Sequence, residues 1–535
     1  MSDQVSDQLS GQRSGQRSGQ RSGQRSGQRS GHQARWRLFG YGATVFLSSA
    51  LLLVLEIVAG RLAAPYVGVS LYTWTSIIGV ILAGLSLGNW LGGHWADRGG
   101  NGRSVGLVLL LAGVYGLLSL LLLDPLGAAL QQGGISLLSA SFGFAAALFF
   151  IPAALIGVVT PLLTTLALRL DSRAGHVVGR MHALAAVGSI LGTFAAGWVL
   201  VQWLGSRTVV LVCALLLIAL ALPFLRGLRR AFWLPIGLLV LLSGGLGLRA
   251  ALAGSCDRES SYFCLRVVDQ STLAPFGEAR GLVLDHLLHG INHRQDPALL
   301  IAPYVHAIDE LAYAHFGPDY DDGLRWFFAG GGAYSQPRAL TALSPRAEIV
   351  VAELDPQVTL LATESLFLRP ESMEIIHRDA RLALHAQPAG RFDVIVGDVF
   401  HDVAIPPHLV TREFAALVRE RLTPDGLYLM NVVDSFPDPR LIKAITRTLQ
   451  TAFAQVDLWM QGVPEHPRVT FVISATNGEQ LPKTVQSRTG PARRWTRMTE
   501  DILAFGTPPA ALPVLTDDYA PVERLIADLL IGNSH

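Results

Sequence analysis

The run RWFFAGGGAYSQPR at residues 325–338, followed by EIVVAELDP at 348–356, decides the fold of the carboxy-terminal half. RWFFA has the length and apolar character of one buried strand, and Gly330, Gly331 and Gly332 end it. A helical pattern opens near Pro337, whose fixed φ suits a first helical turn. The second apolar run closes on Glu353, 21 residues after Gly332. At the end of a second strand, an acidic side chain commonly accepts hydrogen bonds from ribose hydroxyls, while a glycine turn lets a ligand approach the backbone. The bland reading is a tight turn and a surface glutamate; the joint spacing favours a nucleoside site.

Outward from this unit the pattern repeats. MEIIH, FDVIVGD, GLYLMNVV, QVDLWM and VTFVISA read as further strands between helical stretches, predicting a parallel, doubly wound α/β sheet. Asp379 and Asp398 follow MEIIH and FDVIVG, the third and fourth strands counted from RWFFA, so that four consecutive strands offer residues to one crevice at their carboxyl ends. Taken alone, each aspartate is more often a helix cap. Ahead of the sheet, Tyr262 to Val268 and Arg280 to Leu284 read as a small β-hairpin element.

The amino-terminal half obeys a different solvent. Half of the 535 residues are hydrophobic, and the excess lies between Leu38 and Ala253 in seven apolar runs: 38–60, 72–95, 104–123, 136–168, 182–204, 208–225 and 232–253. They predict a transmembrane helical bundle with the lipid bilayer as its partner. Pro152 and Pro161 in the overlong fourth run predict a kinked or broken helix. Gly79, Gly84, Gly88, Gly92, Gly188, Gly192 and Gly197 predict close helix contacts. Glu56 is costly at membrane depth and is either a functional group or the partner of Arg61 in an interfacial ion pair. Ahead of the bundle, residues 11–30 are five copies of Gly-Gln-Arg-Ser with nothing to bury, which predicts a disordered basic tail. The domains expected are therefore a tail (1–37), a bundle (38–253), a hairpin lead-in and linker (254–320) and a nucleotide-binding domain (321–535).

A formal net charge of +1 gives no argument for nucleic-acid binding, and three cysteines provide no metal-binding set. Arginines concentrate in every second connection between apolar runs, which sets the amino terminus in the cytoplasm of a multi-pass inner-membrane protein. Seven crossings then carry the α/β half to the outer side, where an oxidising compartment could join Cys256 to Cys264. A re-entrant or interfacial run from Phe232 to Leu248 would return it to the cytoplasm.

The runs GGGAYSQPR, VVAELDP, HRDARLAL, FDVIVGDVF and TREFAALVRERLTPDGLYLMNV resemble the spermidine synthase family, and SYFCLRVVD to RGLVLDHLLHG resembles its amino-terminal hairpin. With TDDYAPVERL near the carboxy terminus, the layout resembles bacterial proteins that fuse this domain behind a multispan membrane region. The resemblance implies a class I methyltransferase-type fold. It also implies aminopropyl transfer from decarboxylated S-adenosylmethionine, as co-substrate and with no prosthetic group, to a polyamine or related amine. It assigns Gly330, Gly331, Gly332, Glu353, Asp379 and Ala380 to the nucleoside, Asp398 to catalysis, Tyr304 and Asp402 to the amine substrate, and a homodimer through the α/β half. The sequence departs from the family at Ala333, where an acidic residue usually holds the aminopropyl ammonium; at Asp402, one residue further from Asp398 than usual; and at His286, usually Gly. Two other readings stand beside it: methyl transfer from S-adenosylmethionine itself, which the same fold serves, and a degenerate nucleoside- or polyamine-binding domain coupled to transport, which Ala333 and an outward-facing domain would favour. GGHWADRGGNGR also resembles a loop of major facilitator transporters, with Asp97 and Arg98 able to pair.

Overall fold

The computed structural model describes residues 3–132, 136–226, 230–254, 256–400, 404–462, 464 and 466–531. Among the described residues seven helices are long and apolar enough to cross a membrane: His32–Val67, Leu71–Asp97, Gly102–Leu130, Leu137–Leu168, Ala174–Leu204, Ser206–Leu225 and Trp233–Leu252. The first continues a helix that begins at Asp3, so the backbone of the Gly-Gln-Arg-Ser repeats is helical where the sequence predicts none. Extending an existing helix adds one hydrogen bond per residue without a new nucleus, although the repeats offer no apolar face to hold it.

The chain divides into two compact units, Met1–Val58, Gly79–Leu121 and Ala146–Ala251 forming one, and Ala59–Ile78, Leu122–Ala145 and Leu252–His535 the other. In the first unit the glycine stripes work as packing surfaces. A Cβ on Gly88 would lie 2.1 Å from the Ala154 carbonyl oxygen, and one on Gly192 would lie 2.3 Å from that of Ala50. Gly84, Gly92 and Gly188 are also crowded, at 2.7, 2.8 and 2.2 Å, whereas Gly79 and Gly197 face open space and carry no such contact. The fourth span is interrupted as predicted. A π-helical turn, Ala146–Phe150, stands directly before the segment Ile151–Leu168 that contains Pro152. A proline that cannot donate to the preceding turn accounts for the widened backbone.

In the second unit, Arg61 forms an ion pair with Glu259 at 3.6 Å and donates to the carbonyls of Ser261, at 2.9 Å, and Ser260. Of the two readings of Glu56, the ion pair with Arg61 is not formed: Arg61 finds a carboxylate and two carbonyls on the segment that leads into the small sheet. Asp97 and Arg98 likewise form no ion pair among the described residues. The amide of Leu71 donates to Glu523 at 2.9 Å, and Tyr72 and Leu137 pack against the core of the α/β domain.

That domain opens with four antiparallel strands, β1 (Arg258–Glu259), β2 (Cys264–Asp269), β3 (Ala279–Leu284) and β4 (Leu287–His293). The predicted hairpin is thus the centre of a small sheet. The main sheet comprises β5 (Arg325–Ala329), β6 (Glu348–Ala352), β7 (Glu374–Ile376), β8 (Phe392–Gly397), β9 (Leu422–Ser435), β10 (Gln455–Met460), β11 (Arg468–Thr476), β12 (Thr484–Gln486) and β13 (Arg494–Arg497). Its order is β12-β13-β10-β11-β9-β8-β5-β6-β7.

From β7 to β9 the strands are parallel; from β9 to β12 they are antiparallel, so the predicted all-parallel sheet is in fact mixed. The short connection between β10 and β11 leaves no room for the crossover that a parallel pair requires. Both faces are covered. Phe327, Val350 and Ile395 join one core cluster, while Trp326, Phe328 and Val351 join the other, as the two-residue strand period dictates.

Candidate functional site

The chain runs outward from β5 through β6 to β7, then returns to β8 on the other side of β5. Such a reversal opens a crevice at the carboxyl ends of the central strands. The glycine turn and Asp398 lie on its two sides. Gly330 has a φ of +93°, and a Cβ there would stand 2.3 Å from the Asp398 carbonyl oxygen. Only glycine permits both this conformation and this approach. Gly332 is also left-handed, at +50°.

Glu353, just after β6, closes the turn from below. One carboxylate oxygen accepts from the amides of Gly331 at 2.9 Å and Gly332 at 3.3 Å, and the other accepts from the Asp355 amide at 2.8 Å. Burial raises its pKa, opposed by these amide donors. The glutamate is therefore both a brace for the glycine turn and an acceptor facing the cleft.

Asp398 follows β8. Its carboxylate accepts from Asn431 Nδ2 at 2.9 Å and from the Tyr304 hydroxyl at 3.2 Å. Burial pushes its pKa up to about 6, against the lowering effect of both donors. The Tyr304 hydroxyl also lies 3.3 Å from the His289 carbonyl oxygen on β4, so its single proton has two acceptors to choose between. Burial and the neighbouring Asp398 carboxylate hold Tyr304 well above the usual phenol range, and it remains a donor.

Asp379 has the capping role that an isolated aspartate usually has: it accepts from the Leu382 amide at 3.1 Å at the start of helix Ala380–His385. Its other oxygen meets His408 Nε2 at 2.8 Å. Ala380 is buried beside it. Arg381, next in the chain, grips Asp517 through two 2.7 Å bonds, and Thr411 donates to the same carboxylate at 2.8 Å. The TDDY segment thus braces the helix that carries Asp379.

These groups line one cleft of about 120 Å³, with Gly330, Glu353, Asp379, Ala380 and Asp398 on the sheet side and Tyr262, Phe263 and His289 on the small-sheet side. Tyr304 joins through Asp398, while Asp402 lies outside the described residues. Ala333 is buried, and its carbonyl accepts from Asn292 Nδ2 at 2.7 Å. Sequence reasoning missed Asn431, His289 and His408. Asn431 left a signal, a lone amide inside the apolar strand GLYLMNVV beside the Asp398 strand; the two histidines left none. The cysteines Cys256 and Cys264 form a disulfide with their Cα atoms 5.4 Å apart, while Cys213 is free and buried. Among the described residues no group of His, Cys, Asp or Glu is arranged to hold a metal ion.

The segment from the end of β5 through β12 has its own signature. Residues 329–486 match the spermine/spermidine synthase domain family. The matched domain contains Gly330, Glu353, Asp379, Asp398 and Asn431, whereas Tyr304 and the small sheet precede it. A probable polyamine aminopropyl transferase of Bifidobacterium longum is 30% identical over 213 residues, covering 37% of this chain and 47% of its own. The chain spans about half the length of the curated relatives it matches at this level. Polyamine aminopropyltransferase 2 of Ralstonia nicotianae is 25% identical over 463 residues, covering 81% of this chain and 86% of its own. That match is too long to fit within the synthase-like half, so it extends into the apolar half. A probable spermidine synthase from Corynebacterium glutamicum superposes with a TM-score of 0.43 at 19% identity, covering 50% of this chain and 97% of that structure.

Proposed function

We propose that the chain is a membrane-anchored aminopropyltransferase, moving the aminopropyl group of decarboxylated S-adenosylmethionine to a polyamine or related amine. The observation that carries this reading is Asp398: a carboxylate held by Asn431 and Tyr304, raised to about 6, in the same cleft as the glycine turn and Glu353. The family match over this segment and the names of the relatives support the same reaction.

An amine attacks carbon only through a free lone pair, so the acceptor must first lose a proton. Asp398 takes that proton. The amine nitrogen then forms a bond to the methylene carbon next to the sulfonium, the carbon–sulfur bond breaks, and sulfur keeps the electron pair as methylthioadenosine leaves. A base with a pKa near 6 is mostly ionised at neutral pH yet basic enough to receive the proton. Glu353 has one acceptor position left, on the oxygen that also accepts from Asp355, for a ribose hydroxyl, with Asp379 and Ala380 beside the adenine. Tyr304 faces the acceptor amine, a role the family resemblance extends to Asp402. The test is release of methylthioadenosine by the full chain, lost in Asp398→Asn.

Two observations favour a second reading, a binding domain coupled to transport. Buried Ala333 presents no carboxylate to an aminopropyl ammonium, and a buried cation without a partner is expensive. Seven spans and the Cys256–Cys264 disulfide support a domain outside the cytoplasm, away from the nucleotide donor. Reporter enzymes fused after His535, one active only inside and one only outside, separate the two: an outer signal favours binding or transport, a cytoplasmic one the transferase. The same fold serves methyl transfer from S-adenosylmethionine, and the family resemblance implies a homodimer through the α/β half.

A further inference from the structure

On the arginine-rich side of the helical unit, an open recess of about 570 Å³ lies between the beginnings of the first and fifth spans and the end of the fourth. Arg35, Arg173, His176 and Arg180 line it, together with the apolar side chains of Leu38 and Leu170. Arg173 is engaged with Asp171 through bonds of 3.1 and 2.9 Å. That contact holds the Asp171 carboxyl down to about 2, so it is charged at any physiological pH. Three guanidiniums against one carboxylate leave the recess with an excess of positive charge, even with His176 neutral. Helix Ala174–Ala195 starts at the recess with no side chain capping its first turn, so its amide end adds to the positive potential.

We infer that this recess binds the phosphodiester headgroup of an anionic phospholipid, with the acyl chains running beside Leu38 and Leu170. The inference rests on the membrane-spanning reading of the helices. Position favours a lipid over a free anion, because the cations sit where three apolar spans begin or end, the level of the headgroups, with apolar surface directly beneath them. Arg35 and Arg180 are exposed and carry no ion pair among the described residues, so both are available to phosphate oxygens.

The test uses the full chain purified in a mild detergent, with copurifying phospholipids quantified by mass spectrometry. The wild type is expected to be enriched in phosphatidylglycerol or cardiolipin over phosphatidylethanolamine relative to the membrane it came from. Arg35→Glu with Arg180→Glu should lower that enrichment by roughly tenfold or more, given the attraction of each basic residue to anionic lipid. Arg35→Lys with Arg180→Lys should retain most of it and controls for folding. Arg226→Glu, on the same side but outside the recess, should leave it unchanged. Equal loss in Arg226→Glu would mean a diffuse positive surface and would overturn the site. So would a wild type with no anionic enrichment. Stabilisation by inorganic phosphate matching that by short-chain phosphatidylglycerol would mean a soluble-anion site and would overturn the lipid assignment. A chain that stays soluble without detergent would instead refute the membrane reading itself, a separate failure.

Discussion

Replacing Asp398 with Asn should abolish turnover while stabilising the protein above neutral pH. The carboxyl is raised from 3.8 to about 6 by burial, a shift of roughly two units or about 3 kcal/mol of penalty on the ionised form. A raised carboxyl pKa contributes stability below its unfolded value, and that contribution is lost as pH rises through about 6. Asn has the same shape and no charge, so it avoids the loss. It also keeps its partners: Asn431 continues to donate to the amide oxygen, and Tyr304 turns its proton to the His289 carbonyl and accepts from the new NH2. Because the side chain faces an open cleft where water screens part of the penalty, about 3 kcal/mol is a ceiling. The variant should unfold roughly 2–6 °C above the wild type at pH 8 and by about half that margin at pH 5, where part of the loss between 3.8 and about 6 has already occurred. Turnover should fall by about 10²–10⁴ on losing the base. Melting temperature by intrinsic fluorescence at both pH values, with methylthioadenosine release by chromatography, reads both effects. Turnover within threefold of wild type, or a variant less stable than wild type at pH 8, would refute the reasoning.

Other perturbations isolate other parts. Glu353→Gln turns an NH2 group toward the amides of Gly331, Gly332 or Asp355, at a cost of about 1–3 kcal/mol, and should raise the Kd for methylthioadenosine in calorimetry by tenfold or more. Unchanged affinity would remove Glu353 from the nucleoside site. Gly88→Val drives a side chain into the Ala154 carbonyl and should lower the yield and melting temperature of detergent-solubilised protein, while Gly79→Val, in open space, should be tolerated. Equal tolerance would mean that the second and fourth spans do not pack as described. Denatured without reductant, protein from membranes should expose one thiol, Cys213, and three after reduction; three at the outset would deny the disulfide. Cys256→Ser should cost about 2–3 kcal/mol, the chain entropy of so short a ring, and a smaller loss in urea unfolding would assign the disulfide less weight.

The sequence was most legible where one residue type had one physical meaning. All seven apolar runs of membrane length became spans, with limits up to eight residues from those expected, and RWFFA became a strand at its predicted bounds. Glycines before an acidic strand end located the turn and Glu353, because a left-handed φ and a close backbone approach leave few alternatives. Strand direction was not legible: QVDLWM and VTFVISA are apolar enough for a parallel sheet, yet both run antiparallel. Period and hydrophobicity report burial, not direction. Partner choice was equally hidden. Arg61 had a carboxylate nearby in sequence at Glu56 and took one about two hundred residues away at Glu259. Asp379 could be placed at a strand end, but its contact with His408 depends on a loop path that no local pattern encodes.

Aminopropyl transfer in the cleft around Asp398 is tested most directly by incubating the full chain, in lipid nanodiscs, with isotope-labelled decarboxylated S-adenosylmethionine and a panel of diamines, and identifying the products by mass spectrometry. Methylthioadenosine and an aminopropylated amine should appear in equal amounts, at a rate rising tenfold per pH unit below about 6 as Asp398 ionises. Binding of the nucleoside without products, or S-adenosylhomocysteine and a methylated product when S-adenosylmethionine is supplied instead, would contradict it.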